Sequence, residues 1–408
     1  MKLGAAHLTY CTNIHAGETW LDTFAALKNN FPVIKSQLSP DQPMGIGLRL
    51  SNIASIDLLG TESYLHEFQQ WLAENNAYVF TMNGFPYGSF HHTRVKDQVH
   101  APDWTTNDRL HYTLRLFTIL AKLLPEGMEG GISTSPLSYK PWHTKSTKRE
   151  QVQRIATENV LAVAIELYSI SQSTGVVMHL DVEPEPDGFL ESGPEFIAWF
   201  ENDLLVKGAA VFAEKLGLPA DQAISAIKQH ICLCYDICHF AIGYEPHQEM
   251  INQLTEKGIK VGKIQISAAL KAVLPPSPAD REPVIRALSK FRESTYLHQV
   301  IAKTKNGSLI RYPDLPEALA DSDRPEVTEW RAHFHIPLFA EDIGLVKSTQ
   351  SDIIEVLQKF KSTPFTQHLE VETYTWEVLP EDLKIPLTDS IVREMEWVKN
   401  KLLSSGHE

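Results

Sequence analysis

In short runs along the chain, apolar and polar residues alternate with a period of two, and longer stretches with helical spacing separate the runs. In residues 176–183, Met178, Leu180 and Val182 share one face, while His179, Asp181 and Glu183 share the other. In residues 367–374, Leu369 and Val371 oppose His368, Glu370 and Glu372. Ile264 and Ile266 likewise oppose Lys263, Gln265 and Ser267; Leu48 and Leu50 oppose Gly47, Arg49 and Ser51; Leu233 and Tyr235 oppose Cys232, Cys234 and Asp236. Eight strand-like runs can be marked, at residues 7–14, 45–51, 78–83, 130–135, 176–183, 231–236, 261–267 and 367–374. Residues 19–30, 63–76, 107–124, 148–173 and 194–216 read as amphipathic helices between them.

Strands alternating with helices predict a parallel sheet, and eight of them predict a closed (β/α)8 TIM barrel. No Gly-x-Gly-x-x-Gly turn follows the first run, so a dinucleotide-binding sheet has no support. Helices cover the outside of a barrel, so the apolar strand faces point outward and the polar faces inward. Charged groups inside are costly unless paired or metal-bound, so a polar interior on most strands predicts a functional lumen.

The 408 residues exceed the roughly 250 of a bare barrel. Two long segments, 85–106 after the third strand and 270–363 after the seventh, account for the excess. We expect one domain over residues 1–408, with 270–363 as an insertion or lid between strands seven and eight. Residues 333–339 alternate like a ninth strand. The net charge of −14, with no long basic run, opposes phosphate backbones and excludes nucleic acid as an expected partner. No apolar stretch nears the ~20 residues of a membrane span, and the first residues lack a signal peptide's apolar core, so a cytoplasmic protein without membrane insertion is expected. Cys11, Cys232, Cys234 and Cys238 are too few for a disulfide framework and fit no standard zinc spacing. Oligomeric state is not legible.

Glu183 ends the fifth run in His-Leu-Asp-Val-Glu-Pro-Glu-Pro, and Asp236 ends the sixth in Cys-Tyr-Asp-Ile-Cys-His, with His239 three residues on. Glu372 lies near the end of the eighth, although Glu370 shares its face and could be the working group. Barrel enzymes place catalytic groups at these strand ends. Three carboxylates converging there would repel one another unless a cation lay between them, and the donor set suits Mn²⁺, Mg²⁺ or Zn²⁺. Arg49, on an inward face, could balance the carboxylates or bind an anionic substrate. His15 and Asn13 could line the pocket or bond backbone, and Asn83 could shape it. Glu185, just beyond its strand, need not enter the lumen.

The strand-five Glu-Pro, strand-six Asp-x-x-His and strand-eight Glu resemble the xylose-isomerase-like barrels, a superfamily with sugar epimerases and isomerases. The resemblance implies that Glu183 and Glu372 bind metal and exchange a proton with a substrate carbon. Asp236 would be a ligand, and His239 would orient substrate, ligate metal or take part in the chemistry. The metal would polarise a carbonyl. The epimerases carry His on strand seven where this chain has Gln265; Gln265 would then be a weaker ligand, or His333 or His335 would replace it. Residues 7–15, 83–88 and 368–376 are similar to EboE, the barrel component of a bacterial gene set linked to secondary-metabolite traffic. Together these imply a metal-dependent isomerase or epimerase of a sugar- or cyclitol-like small molecule, with His15, Asn83, Arg49, His333 and His335 on the substrate. The alternative is a metabolite-binding or delivery protein that uses the same pocket without turnover.

Overall fold

The computed structural model describes residues 1–404, except the side chain of Asp382. Eight parallel strands form the barrel: Ala6–Tyr10, Met44–Arg49, Ala77–Asn83, Gly130–Thr134, Met178–Val182, Ile231–Asp236, Val261–Ile266 and His368–Val371. We refer to them as strands one to eight. Backbone pairing runs continuously from strand two through strand eight to strand one, with Lys2–Leu3 added antiparallel to strand one. Between strands one and two the ladder is reduced to a Cys11–Gly47 bridge. There Thr9 Oγ1 donates to the Gly45 carbonyl at 2.9 Å and accepts from Gly47 N–H at 3.0 Å, and Thr12 Oγ1 accepts from Arg49 N–H at 2.8 Å. The barrel thus closes largely through threonine hydroxyls.

The strand faces follow the alternation. Leu369, Ile264, Leu233 and Leu180 are buried beneath the helical layer, and the polar residues fill the lumen. Low in the lumen, the His7, Phe80, His179 and His368 rings pack with neighbouring centroids 5.0–5.3 Å apart. Above them Lys263 Nζ donates to Glu370 Oε1 at 3.2 Å and to the Met82 carbonyl at 3.0 Å. A side chain at Gly47 would strike the Glu370 carboxylate, so glycine there leaves room for that ion pair.

Helices Trp20–Leu38, Glu62–Glu74, Asn107–Leu123 and Ser146–Thr174 match the amphipathic stretches, with Trp20–Leu38 running past Pro32 behind a Thr19–Asp22 capping box. The stretch expected as one helix at 194–216 is Gly193–Trp199 and Leu205–Leu216 joined by a π turn at Phe200–Leu204. Among the described residues, no helix is long and apolar enough to cross a membrane.

Residues 270–363 build a second, antiparallel sheet of six strands. Its order is Leu309–Tyr312, Val300–Thr304, Val327–Ala332, Leu270–Val273, Val346–Ser348 and Asp342–Ile343. Buried Arg281 ties it together, donating to the carbonyls of Pro275, Ser322 and Val327 at 2.8–3.0 Å. The run expected as a ninth strand at 333–339 is not one. The strand ends at Ala332, and the following residues cross the barrel mouth as coil, with Ile336 N–H bonded to the Ala268 carbonyl. Pro337 lacks the N–H that a ladder there would need.

Candidate metal centre

Asp236, the last residue of strand six, also caps the short helix Ile237–Ile242. Its Oδ1 accepts from His239 N–H at 3.2 Å and from Ser267 Oγ at 2.6 Å. Its Oδ2 is buried with no hydrogen-bond partner. Glu183, one residue past strand five, leaves Oε2 in the same condition. Glu372, one residue past strand eight, is oriented by two amides: Asn13 Nδ2 and Asn83 Nδ2 donate to Oε1 at 2.7 and 2.8 Å. An oxygen from each of Glu183, Asp236 and Glu372 lies within 4.8 Å of the other two.

Burial, then the nearby Glu372 and Asp236 carboxylates, pushes Glu183 well above the ordinary carboxylate range. Burial, then Asp236, raises Glu372 to about 8. A group that holds protons this tightly is short of positive charge. Three converging carboxylates, two of them with an unpartnered buried oxygen, are a donor set that fits a hard divalent cation. Gln265, level with Asp236 on the next strand, is fully buried with both amide atoms unpartnered, so its oxygen is free to join as a weak ligand.

Glu370 is one layer deeper and committed to Lys263, so Glu372 is the strand-eight carboxylate at the mouth. His239 borders the carboxylates, with Nδ1 3.7 Å from Glu183 Oε1 and Nε2 3.7 Å from Asp236 Oδ2. Residues 270–363 bring His333 Nε2 to 3.1 Å from His239 Nε2, and a nitrogen of His335 lies within 4.8 Å of Asp236 and His239 ligand atoms. The structure does not bring Arg49 to this group. Its guanidinium donates to the carbonyls of Gly17 and Gly88 and sits 3.8 Å from Glu18, pinning loops at the edge of the mouth. His15 is also apart, bonded to Tyr10 Oη at 3.1 Å in a side pocket shared with Arg49.

The pocket over the carboxylates, about 520 Å³ counting its open mouth, has Asn13, Asn83, Glu183, Glu185, His239, His333 and Glu372 among its polar lining. Phe85, Phe90, Val95 and Val99 from the loop after strand three, and Tyr296 and Leu297 from the loop leading into Val300–Thr304, supply apolar walls. The two segments meet where Val95 and Lys96 N–H donate to the Thr295 carbonyl and Lys96 Nζ pairs with Asp314 at 2.6 Å. Glu185, expected outside the lumen, lines this pocket, buried 3.6 Å from His100 Nε2. The proline on each side of it turns the chain back over the mouth; the Glu-Pro-Glu-Pro string was the available signal.

No protein-family profile matches the sequence, and no curated protein matches it. Among solved structures, the chain is similar to a D-tagatose 3-epimerase-like protein (11% identity, TM-score 0.49, covering 97% of each chain). It is also similar to a xylose isomerase-like TIM barrel protein from Mycobacterium smegmatis in complex with magnesium (11% identity, TM-score 0.46, 98% of each chain). A third is the IOLI protein with a bound zinc atom (11% identity, TM-score 0.44, 98% of each chain).

Proposed function

We propose that the chain is a divalent-metal-dependent isomerase or epimerase of a sugar- or cyclitol-like small molecule. On its likeness to EboE, we further propose that it serves a cytoplasmic pathway making or moving a secondary metabolite. The observation that carries the enzymatic reading is the convergence of Glu183, Asp236 and Glu372 at the floor of a pocket, with an unpartnered buried oxygen on Glu183 and on Asp236.

Glu183, Asp236 and Glu372 would hold the metal, with Gln265 beside them. A bound divalent cation supplies Lewis-acid polarisation of a substrate oxygen. Glu183 and Glu372 stand on strands five and eight and reach the floor from different sides, so one can remove a carbon-bound proton while the other returns it. The Asn13 and Asn83 amides fix Glu372 for that role. Residues 270–363 act as a lid on a single domain, and the aromatic walls exclude water from the reacting carbon. The second reading, metabolite binding without turnover, is favoured by Gln265, which replaces a basic imidazole with a weak amide donor.

Solvent-deuterium exchange separates the two. Wild type with Mn²⁺, offered ketoses, aldoses and cyclitols in D₂O, should incorporate deuterium at one carbon of its substrate. Glu372→Gln should abolish the exchange while still binding that substrate. Binding without exchange across the panel would replace the enzyme reading with the binding one.

A further inference from the structure

Three histidines beside the carboxylates share a hydrogen-bonding pattern. His239 Nδ1 lies 2.9 Å from the Pro184 carbonyl, and His335 Nδ1 lies 3.0 Å from the Glu372 carbonyl. His333 Nδ1 lies 3.0 Å from Gln299 Oε1. The Gln299 amide is oriented by its own Nε2, which donates to the Pro186 carbonyl at 2.9 Å. All three partners are oxygens that only accept, so each Nδ1 carries the hydrogen and each Nε2 presents a lone pair.

Two of those lone pairs meet, and the third ring lies alongside: a nitrogen of His335 is within 4.8 Å of Asp236 and His239 ligand atoms. His239 Nε2 and His333 Nε2 are 3.1 Å apart, and His335 Nε2 is buried without a partner. Two Nε2 atoms that both present lone pairs cannot hydrogen-bond to each other. Their close approach needs something between them. A cation is a good bridge: nitrogens about 2.0–2.1 Å from a tetrahedral zinc lie about 3.3 Å from each other, close to the separation seen. Fixing Nδ1–H on an oxygen acceptor is also how proteins orient metal-binding imidazoles.

We propose a second divalent-metal site, rich in nitrogen, built on the Nε2 atoms of His239 and His333 with the His335 imidazole beside them, and sharing Asp236 with the carboxylate site. Asp236 suits the bridging position, because an oxygen of it groups with Glu183 and Glu372 and also with His239 and His335. The donor set selects a borderline ion such as Zn²⁺ over Mg²⁺. Cys238 borders the cluster, within 4.8 Å of His333 and His335 nitrogens. Two of the ligands come from the segment outside the barrel, so loading this site would fasten residues 333–335 over the mouth.

The test counts ions. Full-length protein stripped with a chelator is titrated with Zn²⁺ by calorimetry, and bound metal is measured by elemental analysis. Wild type should hold two ions per chain. His333→Ala/His335→Ala should hold one, and Glu183→Gln/Glu372→Gln should also hold one. Co²⁺ in the latter variant should show the strong visible absorption of a tetrahedral nitrogen-rich site. Should the double-histidine protein fail to fold, His335→Gln, whose amide N–H can replace the Nδ1 bond to the Glu372 carbonyl but supplies no imidazole nitrogen, should weaken the second ion at least tenfold. One ion in wild type that is indifferent to the histidine substitutions would overturn the proposal and leave the carboxylate reading intact. One ion that survives the glutamate substitutions but not the histidine ones would do the reverse.

Discussion

Removing one carboxylate from the floor should act oppositely on the metal-free and metal-loaded protein. The Glu183, Asp236 and Glu372 oxygens lie within 4.8 Å of one another. With an effective dielectric near 20, two full charges at that distance repel by about 3.5 kcal/mol. Ionising all three without a cation would thus cost about 10 kcal/mol, which is why burial and neighbours hold Glu183 and Glu372 protonated so far up the pH scale. Mn²⁺ at a thousandfold over its dissociation constant should stabilise wild type by about 4 kcal/mol. For a chain of this length that is a rise in Tm of about 5 °C. Glu183→Gln removes one negative ligand. If affinity falls a hundredfold, about 1.4 kcal/mol of the gain survives, less than about 2 °C. The stripped variant should nevertheless melt above stripped wild type, because wild type must take up a proton at Glu183 to fold at pH 8 and the amide need not. Differential scanning calorimetry at pH 8, with chelator and then with Mn²⁺, reads both effects; Glu249→Gln on the exposed face of His247–Glu256 is the control. Glu185 cannot serve as one, since it lines the pocket. No Mn²⁺-dependent rise in wild type, or an equal rise in Glu183→Gln, would refute the reasoning.

Asn13→Ala and Asn83→Ala should each weaken Mn²⁺ binding about 10- to 100-fold by calorimetry, since each removes one of two donors fixing Glu372. Lys263→Met should cost about 3–5 kcal/mol in urea unfolding by stranding the buried Glu370 charge, and Lys263→Met/Glu370→Met should recover most of it. Burial raises Glu394 to about 7, although Leu338 N–H and Thr373 Oγ1 both donate to it. A folded value above the unfolded one means that the folded state holds the extra proton. This contribution is therefore whole below about pH 4.5 and lost as pH rises through 7, an effect of up to about 3 kcal/mol. Glu394→Gln, which keeps an acceptor oxygen and cannot ionise, should gain stability relative to wild type between pH 5 and 8; parallel pH profiles would count against it.

Which residues face the lumen was legible because strand periodicity is a local property. Met178 through Glu183 alternate whatever the rest of the chain does, and the structure keeps that alternation. Depth was not legible. Glu370 and Glu372 share a face and differ by about 6.6 Å along the strand, and only the arrival of Lys263 from strand seven commits one of them. Arg49 shows the same limit from the other side. Its parity is inward, but as the last residue of its strand it has a side chain long enough to leave the lumen and bind the Gly17 and Gly88 carbonyls.

The misread segment at 333–339 has a different cause. Its alternation satisfies a strand template, yet a strand also needs a neighbour to take its N–H groups, and past Ala332 the partner strand Val300–Thr304 has ended. Freed from the ladder, the chain spends its bonds on tertiary contacts: His333 N–H to the Gln299 carbonyl, Ile336 N–H to Ala268, and two imidazoles on Gln299 Oε1 and the Glu372 carbonyl. The acceptors for those imidazoles lie 34 and 37 residues away, so no local window reveals them. A regular strand would point His333 and His335 the same way but leave their Nδ1 atoms unassigned. The irregular crossing fixes both tautomers, and it is this loss of regularity that brings both imidazoles to the Asp236–His239 corner.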